Sequence, residues 1–289
     1  MEKTLVIGCG FLGSHIFEHL QNKNMHVIGT NFEKKSKELI KLDITNFDMI
    51  NELIVKENPD LVINCAANTN VDNLEKEQNG TKLVNGEGAG NIANVCNQNS
   101  SRLIQISTDS VFNGKKGFYT ESDKPDPINN YAKSKLLGEN LVQKYSKDFV
   151  IVRTNMFGHH HERKFLFDWI IKNLEEKKKI IGFDDIIFNP VEINFLSDLV
   201  IKLGDSKFSG ILHIGSDEAV SKFDFCREIA DIFNLDKNLI KRGSSDNMEF
   251  VAKRPKNTSL SNSKAKKILK MDFISLKEQI MKIEKNRSW

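Results

Sequence analysis

VIGCGFLGSHI, running from Val6 to Ile16, is the stretch on which the reading of the whole chain turns. The apolar run Thr4 to Ile7 ends at a glycine, and Phe11 to Asn22 follows with apolar residues at helical spacing, so the chain opens strand, turn, helix. Between strand and helix, Gly8, Gly10 and Gly13 fit G-x-G-x-x-G in the one setting that gives that pattern weight. Glycine lets the backbone turn and come close to a pyrophosphate, whose charge then meets free N–H groups at the helix N-terminus. Gly8, Gly10, Phe11, Leu12 and Gly13 are therefore expected to cradle a dinucleotide. A glycine-rich turn with no ligand is the bland alternative, and the strand–turn–helix setting weighs against it.

Outward from this turn the same alternation recurs. Met25 to Gly29 reads as a strand, Phe47 to Glu57 as a helix, DLVINCAA from Asp60 as a buried strand and Leu83 to Asn97 as a helix. RLIQIS from Arg102, a helix over Pro127 to Tyr145 and FVIVRT from Phe149 continue it. Continuous apolar strands alternating with helices imply an α/β fold, a doubly wound parallel (Rossmann) sheet covered on both faces. Beyond Asn155 the order weakens: a helix near 164–177, a short strand at Lys179 to Gly182, a return to the main sheet at Gly210 to Ile214, and helices at Phe223 to Phe233 and Leu276 to Lys285. A smaller, discontinuous C-terminal substrate lobe is expected, with residues 1–157 plus about 186–218 forming the nucleotide-binding domain and about 158–185 plus 219–289 the lobe.

Composition narrows the function classes. With 289 residues, 39% hydrophobic and 28% charged, the chain can bury a large core. No apolar run approaches the roughly 18 to 20 residues of a membrane span, and the start runs straight into a strand with no signal region, so a cytoplasmic location is expected. Cys9, Cys65, Cys96 and Cys226 are scattered and read as small core residues, with neither disulfide framework nor metal site. The net charge of +3 is slight, and the lysines of KAKKILK (Lys264 to Lys270) read as a solvated helix face, so no nucleic-acid partner is expected. A homodimer is an admissible assembly. HHHE at His159 to Glu162 offers a metal no convergent ligands, because adjacent side chains point apart, and it reads as a surface loop at the substrate mouth.

Dinucleotide-binding sheets usually place an acid at the end of the second strand to hold the ribose hydroxyls. Here HVIGTNFEKK puts Asn31 at that position, with Lys34 and Lys35 close behind. An amide with nearby cations suits a 2′-phosphate better than a carboxylate does, which favours NADP(H) and leaves NAD(H) admissible. The alternative is that both lysines face solvent.

In Ser107 to Lys135 a hydroxyl, a phenol and an amine stand in an order that can act on one atom. Thr108 closes a strand at the carboxyl end, where open α/β sheets hold ligands. Tyr131 and Lys135, four apart on a helix, share a face. A neighbouring ammonium favours phenolate, so the tyrosine pKa is expected to be drawn down toward working pH.

With these motifs in view, the chain resembles the extended short-chain dehydrogenases/reductases, and within them the dTDP-4-dehydrorhamnose reductase family. The similar segments are VINCAANTNVD (Val62 to Asp72), STDSVFNGKKGFYTESDKPDPINNYAKSKLLGE (Ser107 to Glu139), IVRTNMFG (Ile151 to Gly158) and AKRPKNTSL (Ala252 to Leu260). The resemblance implies that Thr108 is the catalytic hydroxyl, Tyr131 the proton donor, and Lys135 the lysine that also holds the nicotinamide ribose. It further implies adenine-side contacts at Asp43 and Ile44, small cofactor-facing residues at Ala66 and Ala67, and substrate contacts at Asp109 and Met156. Arg254, in the arginine-proline pair, is implied for the diphosphate, with an ion pair inside the lobe as alternative. Asn85 matches the family's helix asparagine, with a capping role as alternative.

The activity implied is NAD(P)H-dependent reduction of the keto group of a nucleotide-linked deoxysugar. The same family also includes a non-catalytic NADP-binding regulatory subunit of a methionine adenosyltransferase, and reduction of a non-sugar carbonyl is a third reading. The departures fall mostly on the sugar side. Ile7 replaces the first glycine of G-x-x-G-x-x-G, DIIFNPV (Asp185 to Val191) stands for D-Q-x-G-x-P-T, and Met156 replaces an aromatic. A 4-keto sugar nucleotide other than dTDP-4-dehydrorhamnose is therefore expected as substrate.

Overall fold

A computed structural model describes residues 2–33, 37–77, 82–160 and 165–287. Runs rich in Val, Ile and Leu form strands buried on both sides, as a sheet covered by helices requires. Lys3–Ile7 (β1), His26–Asn31 (β2), Leu39–Lys41 (β3), Leu61–Asn64 (β4), Arg102–Thr108 (β5), Phe149–Thr154 (β6) and Gly210–Ile214 (β7) make one parallel sheet. Its order is β7-β6-β5-β4-β1-β2-β3, so the winding direction reverses between β1 and β4. A crevice opens at that reversal, outside the carboxyl ends of the strands.

Helices of ten residues or more are Phe11–Asn22 (α1), Phe47–Glu57 (α2), Ala89–Gln98 (α3), Asn130–Tyr145 (α4), Leu166–Glu175 (α5), Ile193–Gly204 (α6), Lys222–Ile232 (α7) and Leu276–Lys285 (α8). Alternate residues of each strand face opposite sides. Val6 and Ile63 therefore join Ile16, Leu20 and Leu199 of α1 and α6 in one core, while Leu5, Ile7 and Val62 join Ile50, Ile92 and Val142 of α2, α3 and α4 in the other. A third core, with Phe167, Ile171, Phe188, Phe225, Ile229 and Ile280, lies among α5, α7 and α8 beside the short strands Ile180–Phe183 and Ile240–Gly243.

Several boundaries differ from expectation for local reasons. The helix expected from Pro127 begins at Asn130, where the side chain of Asn129 accepts a hydrogen bond from Ala132 N at 2.9 Å and caps it. The segment read as one helix from Leu83 starts with a π turn over Leu83–Gly88. Helix α6 went unread because INFLSDLVIKLG is apolar nearly all round, and eight of its twelve residues are buried. Two lysines of the basic stretch are engaged, Lys266 with Asp217 at 2.7 Å and Lys264 with the Ile211 carbonyl at 2.9 Å. Among the described residues no helix is long and apolar enough to cross a membrane.

One buried ion pair ties α4 to the middle of the sheet. Glu139, on α4, accepts from Arg153 of β6 through Nη2 at 2.6 Å and Nε at 3.0 Å, and from the Ser107 hydroxyl of β5 at 2.5 Å. Both charged groups are fully buried. His213 of β7 completes the chain, accepting from Arg153 at 3.3 Å while its Nδ1 donates to the Tyr119 carbonyl at 2.9 Å. Burial and the Arg153 charge push His213 down to about 3, so it stays neutral. Glu139→Ala leaves a buried guanidinium unpaired and is expected to lower unfolding free energy by about 3–5 kcal/mol in urea titration. Adding Arg153→Met should recover part of that loss.

Candidate active site

The turn after β1 is shaped by two close approaches. Gly8 has φ +85°, and a Cβ there would stand 2.6 Å from the backbone N of Ala66. A Cβ on Gly13 would stand 2.2 Å from the Gly8 carbonyl oxygen. A Cβ on Gly10, by contrast, would meet nothing within 4 Å, because Gly10 faces a cleft of about 500 Å³. The cleft lies at the sheet's reversal point, beside the N-terminus of α1, where free N–H groups and the helix dipole favour an anion.

Of the residues expected to hold a dinucleotide, Gly8, Gly10, Asn31, Asp43, Ile44, Ala66 and Ala67 line this cleft. Phe11, Leu12 and Gly13 do not: Phe11 stacks on Phe165 with ring centroids 4.1 Å apart, and Leu12 is buried in the core. Their side chains serve the fold. The Asn31 amide is already in use, donating to the Cys9 carbonyl at 3.3 Å and accepting from Phe32 N at 2.8 Å. Asp43 accepts from Thr45 N and Oγ1 at 2.9 and 2.7 Å. Lys34 and Lys35 lie outside the described residues. Glu33, which the sequence reading passed over, lines the cleft beside Asn31. The narrow turn, the open face at Gly10 and the small apolar wall of Ala66, Ala67 and Ile44 fit a dinucleotide.

Thr108, Tyr131 and Lys135 meet where β5 ends against α4. The Thr108 hydroxyl accepts from Ser110 N and donates to Asp109 Oδ1, both at 3.1 Å. Lys135 donates to the Ile106 carbonyl at 2.8 Å. Burial pushes Tyr131 up to about 12, with the Asp109 charge adding to the rise and the Thr108 hydrogen bond opposing it. The expected lowering is therefore reversed: the Lys135 ammonium is committed to a carbonyl, and desolvation of the phenolate outweighs it. Lys135 is itself pushed down to about 8 by burial, against the pull of Glu139 and Cys65. At neutral pH the Tyr131 phenol thus keeps its proton.

Asn85 has a structural task beside the triad. It is buried, pairs with both the N–H and the carbonyl of Asn68 at 2.8 and 2.9 Å, and donates to the Ser134 hydroxyl at 3.1 Å. The loop lining the cleft is thereby fastened to α4 between Tyr131 and Lys135. The π turn that sets this residue in place has no signature in the sequence pattern.

A second cavity, of about 630 Å³, takes in Asp109, the residue after Thr108, and is walled by Trp169, Phe183, Phe188 and Phe250 with Asn155, Lys222, Arg254 and Thr258 among its polar groups. Asp109 is buried and accepts four hydrogen bonds, from Thr108 and Ser110 at Oδ1 and from Asn155 and Thr258 at Oδ2. Arg254 Nη2 pairs with Asp72 at 2.9 Å, and its Nη1 is buried with no hydrogen-bond partner. Met156 packs against the main core, and its neighbour Asn155 faces the cavity. Asn155, Thr258 and Lys222 were missed because single polar residues in irregular segments carry no periodic signal. Of the histidine run, His159 bonds Asp168 at 2.6 Å and His160 lines the first cleft; His161 and Glu162 lie outside the described residues.

The family model described as RmlD substrate binding domain matches residues 2–287. Over 283 residues the chain is 30% identical to the probable low-salt glycan biosynthesis reductase Agl14 of Haloferax volcanii, covering 95% of this chain and 94% of that one. Over 282 residues it is 27% identical to methionine adenosyltransferase 2 subunit beta of Rattus norvegicus, covering 91% and 81%. The crystal structure of dTDP-4-dehydrorhamnose reductase from Bacillus anthracis in complex with NADP superposes with a TM-score of 0.91 at 26% identity, covering 99% of this chain and 100% of that chain.

The turn geometry sets apart two glycines that look alike in sequence. Gly13→Ala drives a methyl into a backbone carbonyl and is expected to cost about 1–3 kcal/mol, read as a lower thermal midpoint. Gly10→Ala, pointing into the cleft, should leave the midpoint unchanged.

Proposed function

The chain belongs to the family described as RmlD substrate binding domain, and from that premise we propose that this NAD(P)H-dependent oxidoreductase reduces the keto group of a nucleotide-linked deoxysugar. The observation that carries the proposal is a dinucleotide-shaped cleft at the sheet's reversal together with an aromatic-walled cavity that takes in Asp109, the residue after Thr108, with the buried Tyr131 phenol pushed up to about 12. Thr108 adjoins Asp109 on the cavity wall, and Lys135 is in electrostatic reach of Cys65 on the cleft wall, so the triad bridges the two. Residues 1–157 with about 186–218 would then serve the cofactor, and about 158–185 with 219–289 the sugar nucleotide.

The chemistry that a bound nicotinamide supplies is hydride transfer to the carbonyl carbon. Tyr131 gives its proton to the carbonyl oxygen, and Thr108 hydrogen-bonds that oxygen. Lys135, held by the Ile106 carbonyl, is the candidate for the ribose. NADP(H) is the preferred cofactor, as in the Bacillus anthracis structure, and NAD(H) is admitted. Asn31 presents no carboxylate to a 2′-phosphate, whereas Glu33 on the same wall favours a 2′-hydroxyl. Fluorescence titration is expected to give tighter binding of NADPH than of NADH, with Glu33→Gln widening the difference.

The sugar differs from the 4-dehydrorhamnose of the named reductase. Ile186 and Phe188, from the segment that departs from D-Q-x-G-x-P-T, both line the cavity, so that departure reshapes the substrate wall. The likeness to methionine adenosyltransferase 2 subunit beta keeps a second reading open, a partner-binding subunit that turns nothing over. Tyr131→Phe separates the two. It is expected to cut kcat about a hundredfold to ten-thousandfold while NADPH still binds. A variant as active as the wild type overturns the proposed mechanism.

A further inference from the structure

Lys222 is the first residue of α7 and lines the second cavity. Little in the fold favours an ammonium at that point. A helix N-terminus carries partial positive charge and repels a cation. The Lys222 Nζ stands 3.2 Å from the centroid of the Phe188 ring, and among the described residues it makes no hydrogen bond or ion pair. The ring face attracts the cation without neutralising it. Burial pushes the ammonium down to about 7, against the attraction of Asp109 and Cys226.

Asp109 is in electrostatic range, yet both of its oxygens are taken by Thr108, Ser110, Asn155 and Thr258. The other charged or titratable groups on the wall are Lys179, Arg254 and Cys226, and none supplies a free anion. A diphosphate needs a donor of its own, and Arg254 has one to give, the buried Nη1 left unbonded while Nη2 pairs with Asp72. Lys222 is thereby left over, at the end of the cavity where Asp109 follows the catalytic Thr108.

Taking the proposed reductase function as given, we propose that Lys222 recognises a carboxylate carried by the sugar ring, so that the substrate is an acidic nucleotide-linked keto sugar. A carboxylate there would accept from the ammonium, and a hydrogen bond between two charged groups is strong. It would also give the half-buried ammonium a hydrogen-bond partner that, among the described residues, the protein does not supply, a tension between stability and function seen at many binding sites.

That tension has a definite pH signature. The folded-state pKa of Lys222 is depressed from 10.5, so the protein is destabilised below about 7 and the deficit lifts as pH rises toward the unfolded value. Lys222→Met, of similar length, should therefore raise the thermal midpoint at pH 6 and raise it less at pH 9. A midpoint lowered at both pH values would mean that the ammonium stabilises the substrate-free fold, and would overturn the proposal.

The decisive experiment compares two keto sugars on one nucleotide, one neutral and one bearing a ring carboxylate, under NADPH with wild type and Lys222→Met. The wild type is expected to favour the acidic sugar in kcat/KM, and the variant to lose about tenfold or more of that preference, chiefly through KM. Equal losses on both sugars would assign the ammonium to the shared diphosphate and overturn the proposal alone. So would a wild type that reduces the neutral sugar better. Turnover of neither sugar by the wild type would overturn the reductase function and this proposal together.

Discussion

The active site depends on one dehydrated carboxylate. Glu139 holds Ser107, the residue before Thr108, and Arg153 at the same time, and it lies one helical turn beyond Lys135 on α4. Because the pair is buried, neither charge can leave without its partner, and helix and strands move as one body. The distance between the Thr108 hydroxyl and the helix bearing Tyr131 is fixed by an interaction on the far side of β5. Glu139 also acts electrically, since its charge opposes the desolvation that pushes Lys135 toward neutrality. Asn85 adds a second fastening, from the cleft loop to Ser134 on the same helix.

Much of this was legible in the chain. The turn from Gly8 to Gly13 could be read because few backbones tolerate φ +85° and such close approaches, so glycine marks the place. Six of the seven strands could be read because burial on both faces demands unbroken apolar runs; β3, three residues long and largely exposed at the sheet's edge, gave no such run. The placing of Thr108 at the end of a sheet strand, and of Tyr131 and Lys135 on one helix, could be read from spacing and periodicity. What was hidden depends on where side chains end up in space. Nothing in DIIFNPVEIN foretells that Phe188 will lie under the amine of Lys222, thirty-four positions later in the sequence. The Tyr131 shift was misjudged for the same reason: spacing places Lys135 on the same face, but the direction of its ammonium is decided by the Ile106 carbonyl. Met156 shows the converse, a residue expected at the substrate that is half-buried against the main core and off the second cavity's wall.

The two cavities differ in kind. The cleft at the sheet's reversal combines the glycines of the turn and the small wall of Ala66 and Ala67 with polar side chains such as Asn31, Glu33 and Asp43. The second cavity is walled by bulky aromatics with a few charged side chains. Generic groups suit a cofactor shared by many enzymes, and individual side chains suit a substrate that must be told from its relatives. The chain's departures from its family pattern are divided between them: Ile7 lines the cleft, Ile186 and Phe188 line the second cavity, and Met156 packs against the core beside it.

Whether the protein performs hydride transfer at all is the central claim, and isotope transfer tests it most directly. NADPH deuterated at the nicotinamide C4 would be incubated with the protein and a nucleotide-linked keto sugar, and the product examined by mass spectrometry. One deuterium on the carbon that carried the keto group, appearing in step with oxidation of the cofactor, is the expected result. Cofactor that stays bound, reduced and fully labelled in the presence of every keto sugar offered would contradict the account and leave a binding subunit in its place.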